Sequence, residues 1–289
     1  MWFWFAILSA AFSAVSVILN KKALKNINAS LVSWSLFAFS IPILIYPTIK
    51  EGIPKLNIYF WLATMGSVIS FGFAKTLALK SLKSSLISEI IPIAFFMVFF
   101  QYIFGLIFFS ETIKILPFLG LIMIIIGGYF LKVEEAREDI LKPFKLLFTN
   151  KYAFMYLVAI IMMAVTSLFD KASIMNMKPA NQSFYLLLGN VITTILIGLY
   201  LSRKNISWIK ELKTNFWILM TSAIAYTGVS LAYLYAITSG SIALVSGVKK
   251  LEVFFVLIIS WLLFGDKPKR GVWIGSLIML VGVALIKLS

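Results

Sequence analysis

Three ionisable residues stand close together inside a long apolar stretch of this chain. Lys249, Lys250 and Glu252 fall within residues 242–264, a run long enough to cross a bilayer as a helix. A charge at that depth costs roughly 2.5–3.5 kcal/mol on insertion scales, so we expect all three to face protein or water rather than lipid. Such groups usually mark the path of a substrate or an ion. The alternative is a buried charge cluster that only holds helices together.

Helical spacing assigns different roles to the two lysines. Lys249 and Glu252 are spaced i, i+3 and can pair along one helix face. Lys250 points about 100° away from Lys249, so one carboxylate does not neutralise both amino groups. We therefore expect Glu252 to hold Lys249 and to leave Lys250 free to act on a substrate.

Four further residues in apolar runs are candidates for the same site. Lys75, in the third run, either binds an anionic group or extends to the membrane surface. Glu89 precedes Pro92 in the fourth run, where it binds a cation or a proton, or else pairs with nearby lysines. Tyr226 and Tyr233 share a face of the eighth run, where they line a cavity or pack in the core. The embedded lysines outnumber the embedded carboxylates, which favours a substrate carrying carboxylate or phosphate.

Composition places the whole chain in a membrane. Hydrophobic residues make up 61% of the 289 residues and charged residues only 13%, against about 25% charged in a soluble domain. The chain has no His and no Cys, which removes most metal and thiol chemistry, so we expect no cofactor and no metal. The net charge of +15 lies mostly in short connections, a pattern typical of membrane proteins rather than of nucleic-acid binding.

Ten apolar runs, each long enough to cross a bilayer, must position these residues. They lie near residues 2–19, 31–49, 58–79, 84–109, 113–131, 152–170, 182–202, 215–237, 242–264 and 271–288. Strand-like alternation is not sustained over a useful length. The sequence therefore predicts an all-α integral membrane protein with ten transmembrane helices.

The ten runs divide into two halves that resemble each other. Residues 1–131 form a first five-helix unit, 132–151 a connecting segment that lies on the membrane surface or in solvent, and 152–289 a second unit. Matching positions recur in order, such as Glu111 with Asp266. Further matches are Gly120 and Gly127 with Gly275 and Gly282, and Asn20-Lys21 with Asp170-Lys171. Helix termination and anchoring at the membrane surface explain most of that last match. Five spans per unit make the second copy inverted, an arrangement that recurs in secondary transporters.

At these residues the chain resembles a known family. Asn20-Lys21-Lys22-Ala23, the segment from Lys249 to Phe255 and the glycines Gly275 and Gly282 resemble EamA-type permeases of the drug/metabolite transporter superfamily. The resemblance covers nearly the whole chain, although Val253 stands where the family often has Pro and Asp266 where it has Glu. It implies transport of amino acids, sugars, amines or other metabolites, without naming the cargo.

These observations together predict a secondary-active transporter of a small polar metabolite (an amino acid, organic acid, sugar or amine) in the plasma or inner membrane. A proton or cation is a possible coupling partner. We expect a monomer or homodimer in the lipid bilayer and no nucleic-acid partner. The alternative is a non-transporting membrane subunit or a channel-like protein. The sequence does not predict an enzyme, because it shows neither a nucleophile–base pair nor clustered carboxylates at a membrane boundary.

The sequence leaves the orientation open. Most lysines and arginines of the connections fall on the side opposite the two termini, so the positive-inside rule places both termini outside. The family resemblance implies that both termini are inside.

Overall fold

The structure is a computed structural model that describes residues 1–84, 91–136, 142–204, 208–264 and 270–288. Helices α1 to α5 are Trp2–Leu24, Ala29–Glu51, Ile58–Ser84, Met97–Phe109 and Ile115–Ala136, and a 3₁₀ helix at Ile91–Phe96 precedes α4. Helices α6 to α9 are Lys142–Thr149, Lys151–Met175, Gln182–Lys204 and Trp208–Thr214. Helices α10 to α13 are Phe216–Ser239, Ile242–Lys249, Glu252–Phe264 and Arg270–Lys287. Two short strands, β1 at Lys55–Leu56 and β2 at Met177–Lys178, pair antiparallel.

An all-α, multi-pass membrane protein is confirmed, and each of the ten apolar runs is occupied by helix. Within the described residues, six helices are long and apolar enough to span a membrane, namely Trp2–Leu24, Ala29–Glu51, Ile58–Lys75, Lys151–Met175, Gln182–Arg203 and Phe216–Ser239. Ile93–Phe109, Ile115–Phe130 and Val272–Lys287 are apolar but shorter, and the ninth run is divided between α11 and α12. The exact number of ten crossings stays a prediction.

The helices pack in pairs that reflect the two halves of the chain. The most extensive contacts join α5 to α13, α3 to α7, α1 to α10 and α2 to α8. Chain order makes α1 equivalent to α7, α2 to α8, α3 to α10 and α5 to α13. Exchanging the halves then converts the α3–α7 pair into the α10–α1 pair and returns the other two pairs unchanged. A two-fold relation between the halves accounts for this set of contacts.

The paired helices run in opposite directions, as an inverted repeat requires. Between α3 and α7, Thr64 contacts Ser173, Ser67 contacts Asp170 and Ser70 contacts Thr166. Positions therefore descend along α7 as they rise along α3. Between α1 and α10, Phe5 stacks on Tyr235 and Ser9 bonds to Val229 in the same antiparallel sense.

The connections separate into two ends of the bundle. At one end the amino group of Lys287 lies 4.7 Å from the centre of the Trp4 ring, so both chain termini lie there. We call this the terminal end, and the β1–β2 pair belongs to it because β1 follows α2 and β2 follows α7. At the opposite end the amide of Asn28 donates to Glu211 over 2.8 Å.

Glycines bring α5 and α13 into direct backbone contact. A Cβ added at Gly120 would lie 2.5 Å from the carbonyl oxygen of Gly282, and one at Gly127 would lie 2.7 Å from that of Gly275. Gly120 and Gly275 are repeat partners, as are Gly127 and Gly282, so the crossing has the same symmetry as the bundle. Glycines on both helices therefore permit this close approach within the fold.

Both repeats change their helix at the same place. In the second half α11 ends at Lys249 and α12 begins at Glu252. The equivalent segment of the first half is the 3₁₀ helix Ile91–Phe96 followed by α4 from Met97. Helix α11 packs directly against α4, so the ninth run lies beside the fourth. The two interrupted segments meet in the large hydrophobic core of the bundle, which includes Phe95, Val98, Val245 and Val248.

Candidate functional site

The interruption of the ninth run, which we call the helix break, places its charges at two helix ends. Lys249 stands in the last turn of α11 and Glu252 in the first turn of α12. A cation at a helix C-terminus and an anion at an N-terminus are both favoured by the helix dipole. The amide of Lys250 donates to the carbonyls of Ser246 and Gly247, at 3.2 and 3.0 Å, so the backbone stays hydrogen-bonded across the break.

The helix break faces a cavity of about 240 Å³, which we call the central cavity. Its lining is Phe71, Met97, Met163, Thr166, Ser167, Asp170, Tyr233, Ser246, Lys249, Lys250 and Glu252. Among the described residues that line it, the four lysines and carboxylates come from the second repeat, and the first repeat contributes Phe71 and Met97. The volume equals that of roughly eight water molecules in the liquid, which suits a small metabolite.

The two lysines of the cavity each lie over an aromatic ring. The Lys249 amino group is 4.7 Å from the centre of the Tyr233 ring, and the Lys250 amino group is 5.3 Å from that of Phe95. Cation–π contact of this kind stabilises a desolvated ammonium without neutralising it. An aromatic face therefore holds each amino group beside the cavity.

The expected ion pair between Lys249 and Glu252 is absent from the described residues, where the salt bridge joins Lys171 to Glu111. Glu252 instead accepts a hydrogen bond of 2.5 Å from the hydroxyl of Ser13 on α1. The prediction was wrong because spacing along one helix does not show which groups of other helices lie nearby. Glu252 begins a new helix, α12, and bonds to α1.

Asp170 is the cavity residue that sequence reasoning underrated. It was expected to lie at a helix terminus, but α7 continues to Met175 and leaves Asp170 inside the bundle. Its Oδ1 accepts hydrogen bonds from the Ser67 hydroxyl at 2.5 Å and the Tyr185 hydroxyl at 2.7 Å. The available signal was an acid within an apolar run, at a position where the other repeat has the neutral Asn20.

Comparison with known proteins fits this architecture. A family model described as the EamA-like transporter family matches residues 1–132 and again 150–288. The chain belongs to the EamA-like transporter family. A search of curated proteins finds no match. One solved crystal structure, described only as that of a protein, aligns over 99% of this chain and 96% of its own with a TM-score of 0.72. The identity is 15%, so this likeness concerns the fold alone.

The double match confirms the predicted resemblance and the two-repeat architecture of this EamA-like chain. It also supports a membrane transporter rather than an enzyme at the level of the family. The family model leaves residues 133–149 unmatched between its two copies, and the structure has the short helix α6 there. The proposed unit boundaries at 131/132 and 151/152 stay predictions.

The other predicted site residues of this family member have separate positions. Lys75 is exposed and lies outside the set that lines the central cavity. Tyr226 also lies outside that set, where its hydroxyl donates to the Asn190 side chain over 3.3 Å and its ring meets Phe37 edge-on. Glu89 lies outside the described residues. Of the three that the structure describes, only Tyr233 is brought to Lys249, Lys250 and Glu252.

Polar contacts between helices hold the terminal end of the EamA-like bundle together. The Lys171 amino group donates to Glu111 Oε1 at 2.6 Å and to the carbonyl of Gly240 at 2.8 Å. Glu111 Oε2 accepts from the amide of Ile242 at 3.0 Å. The contacts tie the α4–α5 connection, the end of α7 and the start of α11 together. Deeper in the bundle, Gln101 donates to Ser167 over 2.9 Å and links α4 to α7, as its position in the sequence predicts.

Proposed function

We propose that this chain is a secondary transporter that moves a small zwitterionic metabolite across the membrane by alternating access. One observation carries the proposal. The interrupted ninth helix faces a cavity between the two repeats in which two amino groups and two carboxylates meet. In transporters built from inverted repeats, substrate sites lie at the repeat interface beside interrupted helices.

The arrangement of charge in the cavity supports the substrate class. Lys249 and Lys250 suit a carboxylate or a phosphate, while Asp170 and Glu252 suit an ammonium group. Phe71, Met97 and Met163 offer an apolar surface beside these charges. A small molecule with one anionic group, one ammonium and a short apolar part, such as an amino acid, matches all three features.

The symmetry of the bundle supports alternating access. At the terminal end the Lys171–Glu111 ion pair, whose side chains are only 10% and 11% exposed, joins the two repeats. Because the repeats are related by a two-fold axis, alternating access would break such contacts at one end and form equivalent ones at the other. A carrier needs these two states, whereas a channel needs a continuous pore.

Reconstitution of the purified protein in liposomes tests the proposal. A ¹⁴C-labelled amino acid mixture should enter by saturable uptake, and internal unlabelled amino acids should accelerate entry by counterflow. Lys250→Ala should weaken apparent affinity by at least about 30-fold, since loss of a buried charged partner costs about 2–5 kcal/mol. Lys213→Ala, at an exposed lysine of α9, is the control and should transport normally.

The outcome also separates the alternatives. Flux that neither saturates nor responds to internal amino acids would indicate a channel-like protein. Uptake by Lys250→Ala at the wild-type affinity would remove Lys250 from the substrate site. Absence of uptake for the mixture, with the protein folded, would contradict the proposed substrate class.

A further inference from the structure

Asp170 and Glu111 are acids held in different ways in this fold. Glu111 is paired with Lys171, whereas Asp170 is held at Oδ1 by two neutral donors, Ser67 and Tyr185. Among the residues that the structure describes, no lysine or arginine lies within ion-pair distance of Asp170. Its carboxylate therefore has partial compensation by hydrogen bonds and no fixed counter-charge.

The repeat shows that helix packing does not require this acid. Asn20 occupies the equivalent position on α1, where its side chain donates to Ser16 over 3.2 Å. The α1–α10 and α3–α7 contacts are equivalent in the two-fold arrangement, yet only the α3–α7 contact carries an ionisable group at this position. The same position therefore holds an amide, Asn20, in the first repeat and an ionisable carboxyl group, Asp170, in the second.

Several groups from neighbouring elements face Asp170 and affect its charge. Ser67 comes from α3, Tyr185 from α8 and Tyr233 from α10. Lys249, Lys250 and Glu252 share the cavity with it, and Thr166 lies one turn earlier on α7. Burial disfavours the ionised carboxylate, whereas hydroxyl donors and nearby lysines favour it. A charged substrate in the cavity changes this balance, and binding of the substrate and of a proton are then linked.

We propose that Asp170 is the proton-binding group that couples transport in this protein to a pH gradient. This inference rests on the proposed function for its role in transport. In each cycle a proton from water on one side forms an O–H bond with the Asp170 carboxylate, giving a neutral carboxylic acid. The proton then leaves to water on the other side and restores the carboxylate. No oxidant, reductant or other group is needed.

Infrared titration without substrate tests proton binding directly. The wild-type protein in nanodiscs should show a carboxylic acid band that grows as pH falls, and Asp170→Asn should lose this band. Glu252→Gln is the comparison, since it removes another cavity carboxylate and should keep the Asp170 band. Persistence of the full titrating signal in Asp170→Asn would overturn the proposal. If Asp170→Asn does not fold, the band of Asp170→Glu should shift in frequency, and an unshifted band would equally overturn it.

Transport tests the coupling. In liposomes loaded with the ¹⁴C-labelled amino acid mixture, the wild-type protein should build a substrate concentration gradient across the membrane. The gradient should reach up to about tenfold per unit of pH difference, for one proton per substrate. The exchange rate that remains in Asp170→Asn should not depend on pH. In Asp170→Glu the exchange rate should depend on pH again. Wild-type exchange that ignores pH and follows a sodium gradient would overturn the proposal and leave the transporter function intact. Absence of any exchange would instead contradict the proposed function, and the infrared result would still decide whether Asp170 binds a proton.

Discussion

Glu252 takes its hydrogen bond from a different helix, and this changes which substitution should destabilise the cavity. The Ser13 hydroxyl on α1 donates to Glu252 over 2.5 Å. Removing the donor leaves a buried charged acceptor without its hydrogen bond, which lowers the stability of the fold by about 1–3 kcal/mol. At the residue scale the neutral Ser13 therefore matters more to Glu252 than Lys249 does.

The first prediction is that Ser13→Ala lowers the melting temperature of the protein more than Ser9→Ala does. Both serines lie on α1, but Ser9 donates to a neutral carbonyl, that of Val229, at 2.9 Å. A hydrogen bond between neutral groups is worth only about 0.5–1.5 kcal/mol. Thermal unfolding of both variants in nanodiscs measures the difference. Equal melting temperatures would show that Glu252 finds another donor.

The second prediction concerns the ring beneath Lys249. Tyr233→Phe removes the hydrogen bond of 3.0 Å to Ser167 but keeps an aromatic face for the lysine, so transport should fall only slightly. Tyr233→Leu removes the ring as well and should weaken apparent substrate affinity by a further 3- to 30-fold, for a cation–π contact worth about 0.5–2 kcal/mol. Concentration-dependent uptake by the two variants measures this. Identical affinities for Phe and Leu would contradict a role for the ring.

Residue types and depth in the membrane were enough to predict that Lys249, Lys250 and Glu252 lie together. They were not enough to predict partners, because hydrogen bonds such as Ser13–Glu252 join residues far apart in the chain. Asp170 was underrated for the same reason. Its donors come from α3 and α8, so the apolar run around it indicated its depth but not its partners.

At the scale of elements, the crossing of α5 and α13 depends on the absence of side chains. Gly127 and Gly275 approach so closely that a Cβ at Gly127 would meet the carbonyl oxygen of Gly275 at 2.7 Å. Backbone atoms cannot move aside as the end of a flexible side chain can. The two helices would have to separate along their whole contact.

The third prediction is that Gly127→Leu destabilises the fold by more than about 3 kcal/mol, the upper part of the range for overpacking in a core. Gly189→Ala is the matched control, because a Cβ at that helical glycine meets nothing within 4 Å. Alanine there should be neutral or stabilise by up to about 1 kcal/mol through helix propensity. Melting temperatures in nanodiscs compare the two variants. A Gly127→Leu protein as stable as Gly189→Ala would mean that the crossing relaxes freely.

Sequence pattern predicted most of the elements but not the interruption of two of them. Apolar length defines each run, and turn residues bound it. The division between α11 and α12 falls at Lys250-Leu251, where neither residue is a proline or a glycine. The equivalent segment of the first repeat, the 3₁₀ helix Ile91–Phe96, interrupts its run at the same place without a charged residue, so the interruption belongs to the repeat and not to one residue type. Periodicity alone does not reveal a break whose backbone bonds are all satisfied.

At the scale of the whole molecule, the two repeats share a fold and divide the chemistry. Among the described residues, the first repeat supplies Phe71 and Met97 to the central cavity, and the second supplies lysines and carboxylates. Under the alternating access proposed above, the symmetry of the backbone would allow two states of similar energy, and one set of charged side chains would serve the substrate in both. Movement between the repeats would then be the step that transport requires.

The last prediction tests that movement at the terminal end. Lys55 on β1 and Lys178 on β2 are Cα partners in an antiparallel pair. Cα atoms of such partners lie about 4.5–5.5 Å apart, within the range that a disulfide spans. The native chain has no cysteine, so Lys55→Cys together with Lys178→Cys can form only this bond. Both lysines are exposed, and their loss should leave the fold intact.

If the terminal end must open during transport, oxidation of the double-cysteine protein should stop uptake of the ¹⁴C-labelled amino acid mixture, and a reductant should restore it. Each single-cysteine variant, treated with the same oxidant, should transport as the wild type does. Binding should survive in the oxidised form, because the disulfide joins β1 to β2 and touches none of the residues that line the central cavity. Mass spectrometry shows whether the disulfide is complete. If it is, and uptake still proceeds at the rate measured before oxidation, then β1 and β2 move as one body and the end opens elsewhere.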